Sequence, residues 1–209
     1  MMNLTQPQWV RHVVFHPFEG FEDLRWKKGG TLKYTVIIII ALFFSMIAFD
    51  RWCGFQFRPL PDALFSVVPY LMRSVVYFLA WVVGNWAVCT LLDGEGTMRN
   101  ICIYSSYALI PYVVSTFINV ILSHILVQEE QVFFFAVYYI GLIWTGILLF
   151  SAIKAVHQYS VTKTLAAILL TVAAMLVILF LAVLLLSLFQ KVYVFFYTLY
   201  TEILYRIKV

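Results

Sequence analysis

Two histidines, His12 and His16, stand four residues apart, a spacing that aims two ring nitrogens from one helix face toward a metal ion. No carboxylate or cysteine completes the set nearby in sequence, and interfacial histidines are the simpler reading. Cys53, Cys89 and Cys102 are odd in number and form no CxxC, which argues against a disulfide framework or a thiolate zinc site. The acidic turn DGEG, Asp93–Gly96, lacks the ligand periodicity of a calcium loop. HExxH, G-x-S-x-G and GK[ST] are absent, and no pair of carboxylates lies in an apolar run. No catalytic residue, metal ligand or cofactor is assigned, and the chain reads as non-enzymatic.

A second set of polar residues lies inside the apolar runs. Tyr112, Thr116 and Asn119 recur at helical spacing, with Ser123 following on the same face. Asn85 and Thr145 lie on neighbouring runs and are expected to face that stripe. Such groups either bond helices to one another or line a solute path. Packing is preferred, because no run carries Asp, Glu, Lys or Arg at its centre. A small transporter or permease subunit with a polar path between helices two, three and four is the alternative.

The elements that position these residues follow from composition. Of 209 residues, 64% are hydrophobic and 11% charged. Soluble domains average about 45–50% and 25%, so there is too little polar surface for a water-soluble globule. The fold class is all-α: a polytopic bundle of five transmembrane helices. The spans are expected at about 32–49, 74–92, 100–127, 132–153 and 165–189, each near the 20 residues that cross the hydrocarbon. Pro111 should kink the third. Pro59 and Pro61 punctuate the first connection. Residues 190–209 continue helix five or lie at the interface.

Residues 1–31 form a short amphipathic segment ahead of the first span. Pro17 opens a helix with acidic residues in its first turns and basic ones (Arg25, Lys27, Lys28) in its last, as the helix dipole favours. Gly29-Gly30 ends it. The apolar side, with Phe18, Phe21 and Leu24, is expected to lie in the headgroup layer or to dock a partner. In the Asp93–Asn100 turn, Gly94 and Gly96 are expected to permit positive φ, and Thr97 to cap the next helix. With the N-terminus inside, eight of the fourteen Lys/Arg residues face inward, four of them close to the first span. That predicts an inside N-terminus and an outside C-terminus. The net charge of +4 comes without a cluster of Lys/Arg and interleaved aromatics, so no nucleic-acid partner is expected.

Three stretches carry a resemblance. GEGTMRNICIYSSYALIP, Gly94–Pro111, resembles the signature of the Yip-domain (Ypt/Rab-interacting protein) family, in which a glycine-bearing cytoplasmic turn leads into an aromatic-Ala-x-x-Pro element. Gly96, Tyr107 and Pro111 hold its key positions. AIKAVHQYSVTKTLAAILL, Ala152–Leu170, is similar to the family's His-x-x-Ser-x-x-Lys connection, with His157, Ser160 and Lys163. HPFEGFEDLRW, His16–Trp26, is similar to the entry segment of bacterial members, with Pro17, Phe21, Leu24 and Arg25.

The resemblance implies a five-helix membrane domain with a cytosolic N-terminus and no catalytic residues. Eukaryotic relatives act in ER–Golgi trafficking, associate with one another and bind prenylated Rab-type GTPases. The DLYGP element of those members is absent here, and the chain looks like the bacterial branch of the cytoplasmic membrane. GTPase binding is thus carried by the resemblance alone. The expected role is a scaffold that organises other membrane proteins, copies of itself, or lipid of the bilayer. Its candidate partner contacts are Phe21, Arg25, Asp93, Glu95, Arg99, His157 and Lys163.

Overall fold

A computed structural model describes residues 5–27, 29–58 and 65–208. Lys28, Pro59, Pro61 and Val209 lie outside the described residues. All the regular structure among the described residues is helical. Two short helices, α1 (Gln6–Phe15) and α2 (Pro17–Trp26), precede the bundle. The first span is α3 (Leu32–Trp52). The second begins as α4 (Val68–Leu71), passes through a π-helical turn at Met72–Val76, and continues as α5 (Tyr77–Leu91). The third is split into α6 (Met98–Ala108) and α7 (Ile110–Leu122). The fourth is α8 (Gln131–His157) and the fifth α9 (Val161–Lys208). Among the described residues these make five helices long and apolar enough to cross a bilayer. The chain is an integral membrane protein with an all-α polytopic fold.

The boundaries differ from those expected in an informative way. Span two begins at Val68 rather than Ser74, because Pro69 sits in a first turn, where its missing N–H costs nothing. Arg73 is therefore inside the helix, not at its mouth. Span three ends at Leu122, where the chain turns at Ser123. Of the two expectations for the residues after Phe189, helix five takes the continuation. It runs unbroken for 48 residues to Lys208, about 72 Å at 1.5 Å per residue. Only its first part packs on the bundle, through Thr164, Ala167 and Thr171.

The break in the third span falls where Pro111 removes a backbone donor. Thr145 on α8 takes up the slack by accepting the Tyr112 backbone N–H at 3.1 Å. The α7–α8 contact beside it is close enough that a Cβ on Gly141 would sit 1.9 Å from Ser115 Oγ. Small residues at such crossings let helices approach where lipid supplies no hydrophobic drive.

The N-terminal helices do not lie free in the headgroup layer. Trp9 and Val13 of α1 and Phe21 and Leu24 of α2 are buried against Tyr104, Tyr107 and Ala152 of α6 and α8. Phe21 is fully buried, with its ring 6.0 Å from that of Tyr104. Burial of this kind is worth about 1.5–3 kcal/mol per large side chain. The two helices fold onto each other at Gly20, where a Cβ would lie 2.7 Å from Val13 Cα. Tyr107 Oη donates to Gln6 Oε1 at 3.1 Å, and Trp144 Nε1 to the Val14 carbonyl at 3.0 Å.

Candidate functional site

The candidate partner contacts lie at the end of the bundle that carries α1 and α2. Arg25 is the tie. Its Nη1 donates to the carbonyls of Ala155 and Val156, each at 2.8 Å, and its Nη2 pairs with Glu95. Those carbonyls belong to the last turn of α8, where four have no partner within the helix. A guanidinium there also meets the negative end of the helix dipole. Gln158 enters the left-handed region at φ 55°, which lets its backbone N–H and that of Tyr159 return to the Lys154 carbonyl. Elsewhere on the docked pair, Asp23 contacts Lys27 at 2.9 Å and His12 at 3.1 Å. The hydrogen bond from Lys27 holds the Asp23 carboxyl below the usual carboxylate range.

Replacing Arg25 by alanine removes three charge-assisted bonds and should destabilise the protein by about 2 kcal/mol. Arg25→Lys should recover less than half, because an ammonium cannot fork between two carbonyls and a carboxylate. Thermal unfolding in mild detergent measures both. Amide exchange in α2 should speed up in the alanine variant.

Behind Arg25 a hydrogen-bond chain crosses the bundle. The Gly96 N–H donates to His157 Nδ1 at 3.3 Å. The ring proton is then on Nε2, which donates to Asn85 Oδ1 at 3.1 Å. Asn85 Nδ2 donates to Thr171 Oγ1 at 3.1 Å, and Thr171 donates to the Ala167 carbonyl at 2.6 Å. Every donor meets an acceptor, so one tautomer and one amide orientation satisfy the whole set. His157, Asn85 and Thr171 are all buried. Tyr159 stacks on His157 at 5.3 Å and shares its hydroxyl between the Cys89 and Leu92 carbonyls at the end of α5. Burial pushes the Tyr159 phenol up. Lys163 Nζ lies 4.4 Å from the centre of the Tyr159 ring.

The Asp93–Thr97 turn is moulded to this cluster. A Cβ on Gly94 would fall 2.4 Å from His157 Nδ1 and 2.5 Å from the Tyr159 hydroxyl. One on Gly96 would fall 2.3 Å from Val156 Cγ1. Close approach, not positive φ, requires these glycines. The left-handed residue of the turn is Asp93, at φ 55°. Thr97 caps α6 by accepting the Asn100 N–H at 3.3 Å.

The candidate partner contacts thus divide. Asp93, Glu95 and Arg99 are exposed, whereas Phe21 and His157 are buried and Arg25 turns inward. Phe21 and His157 are positioned to hold the bundle together rather than to meet a partner. Lys163 is half-buried over its tyrosine. The intramembrane stripe divides as well. Thr116 donates to the Tyr112 carbonyl at 2.7 Å, and Thr145 holds the Tyr112 N–H. Asn119 is fully buried, and neither of its amide atoms has a hydrogen-bond partner among the described residues. Asn85 does not face this stripe. Its amide is committed to His157 and Thr171, so the expected juxtaposition with Tyr112 is corrected. Sequence reasoning missed Tyr159 and Thr171 as members of the cluster, because their partners are 67 or more residues away.

The His12 and His16 rings lie tilted to each other with centroids 5.3 Å apart, and no group of three His, Cys, Asp or Glu among the described residues is placed to hold a metal ion. No curated protein and no solved structure matches the chain. Residues 11–185 match the Yip1 domain, a span that takes in the docked α2, the glycine turn, the split third span and the His157 connection. The chain belongs to the Yip1-domain family.

Proposed function

We propose that this protein is a non-enzymatic scaffold that organises other membrane proteins, or copies of itself, through the face built by α2, the Asp93–Arg99 turn and the end of α8. The observation that carries this reading is a recess of about 700 Å³ on that face, bounded by Arg25, Trp26, Arg99, Asn100 and Tyr104. Its rim combines an exposed aromatic, Trp26, with the exposed cation Arg99. Aromatic and arginine side chains are the usual anchors of protein interfaces. The walls are held by the Arg25 bonds and the His157 chain, so a partner would meet a preorganised surface. By the Lys/Arg distribution this face is cytoplasmic and the C-terminus is outside.

Photocrosslinkers placed at Trp26 and Arg99 in cells test the reading. Both positions should capture the same membrane protein, or a second copy of the chain, and Arg99→Glu should abolish capture from Trp26 while membrane insertion is unchanged. Capture of lipid alone from both positions overturns it. The permease alternative is less well supported, because Asn85 is separated from Tyr112, Thr116 and Asn119 by its bonds to His157 and Thr171.

A further inference from the structure

At the opposite end of the bundle, Asp50 and Arg73 line one cavity of about 280 Å³, together with Tyr112, Thr116 and Tyr138. Asp50 lies in the last turn of α3. Arg73 lies five residues into span two, about 8 Å from its start. A guanidinium at that depth in a bilayer-crossing helix is costly without an anion. Yet among the described residues neither Asp50 nor Arg73 closes an ion pair. A carboxylate and a guanidinium that share a cavity without meeting leave room for a ligand carrying both opposite charges.

A second cavity, of about 230 Å³, adjoins the first and shares Met46, Arg73 and Tyr112 with it. Its wall is almost wholly apolar, from Leu42, Phe78 and Leu149 among others. The arginine stands at the junction of the two. Its helix is π-wound over Met72–Val76, an arrangement that inserts a residue into the turn and that recurs at functional sites. A chamber that carries a carboxylate and a guanidinium on its wall and adjoins an apolar slot matches an amphiphile. A small polar solute would leave the slot unused.

We propose that these two cavities bind one zwitterionic phospholipid. Its phosphate sits on Arg73, its headgroup ammonium on Asp50, and part of an acyl chain lies in the slot along Leu42, Phe78 and Leu149. This site is independent of the face proposed above for partners.

The test uses the full chain, purified in mild detergent and delipidated. It is titrated with phosphatidylethanolamine, with phosphatidylglycerol and with the soluble headgroup glycerophosphoethanolamine, and one-to-one adducts are counted by native mass spectrometry. Phosphatidylethanolamine should be retained, and Arg73→Gln should weaken retention roughly tenfold, the size expected for a lost charge-assisted bond. Asp50→Asn should shift preference toward phosphatidylglycerol, which lacks the ammonium. Leu149→Trp should weaken retention with both charges intact, by filling the slot. Each variant is first checked for an unchanged thermal midpoint, and Asp50→Asn is the mildest if another fails to fold. Equal retention by wild type and Arg73→Gln overturns the proposal. So does binding of the soluble headgroup as tight as that of the lipid, which would instead indicate a free solute. Crosslinked capture from Trp26 should be unaffected by Arg73→Gln.

Discussion

Gly96→Ala should lower the thermal midpoint of the detergent-solubilised protein, and Gly146→Ala should not. The two changes add the same methyl group to the same chain. At Gly96 the methyl would lie 2.3 Å from Val156 Cγ1 and 2.6 Å from His157 Cε1. Neither neighbour yields easily. Val156 is β-branched and buried against the core. The His157 ring is held between Gly96, Asn85 and Tyr159. The turn must back away from α8, which strains the Arg25–Glu95 pair and the bond from Gly96 to His157 together. Overpacking of this kind costs about 1–3 kcal/mol. At about 2–4 °C per kcal/mol for a chain of this size, that is a fall of roughly 2–12 °C. At Gly146 nothing lies within 4 Å of the added carbon, and the residue is in the middle of α8. There alanine improves helix propensity and should leave the midpoint level or slightly higher. Equal effects at the two sites would mean that the turn moves freely and the glycines are incidental.

That turn shows how much the sequence could reveal. The pattern DGEGTMRN marks a tight turn followed by a capped helix, and both are present. The reason for its glycines was not legible. Local sequence suggests positive φ, but the turn assigns that to Asp93, and the glycines answer to side chains of α8 some sixty residues away. Span existence was legible for a simpler reason. An apolar run long enough to cross 30 Å of hydrocarbon has one stable solution, a helix with its backbone bonds closed internally. Span ends were less so, because first-turn prolines and C-terminal caps extend helices past the apolar run. Arg73 became an intrahelical charge through one such extension.

The amphipathic N-terminal segment marks another limit. The spacing of Phe18, Phe21 and Leu24 shows that α2 has an apolar face. It does not show whether bilayer, partner or the chain's own bundle covers it. Here the bundle covers Phe21 and Leu24, since α6 and α8 present Tyr104, Tyr107 and Val156 at the same end, while Phe18 stays exposed. Periodicity identifies what must be buried; only tertiary contacts identify against what. The family resemblance reached further, placing His157, Ser160 and Lys163 in one motif, but a motif within one connection carries no trace of Asn85 on another helix.

Asn85 carries the second large effect. Asn85→Leu deletes the acceptor for His157 Nε2–H and the donor to Thr171 Oγ1, both buried groups. A buried polar group left without a partner costs about 1–3 kcal/mol. Interhelical hydrogen bonds in membranes average less, about 0.6 kcal/mol, because the denatured state also finds partners. Two bonds lost at once, with an orphaned imidazole between α5 and the turn, should cost about 2 kcal/mol. His157→Leu should cost a similar amount, since it strands the Asn85 carbonyl oxygen and the Gly96 N–H. The decisive variant is the double one. With Asn85 and His157 both leucine, no imidazole or amide of that pair remains to be orphaned, and the combined loss should fall short of the sum of the singles by about 1 kcal/mol. Thr171→Val strands only one Asn85 donor and should cost about 1 kcal/mol. Equilibrium unfolding in mixed detergent measures all four proteins. Faster exchange of the Gly96 amide in His157→Leu ties the energy to the turn. Additive losses would mean that the four groups are neighbours without being a network. The glycine turn would then be held by Arg25 and packing alone, and the histidine of the family motif would be one more buried ring.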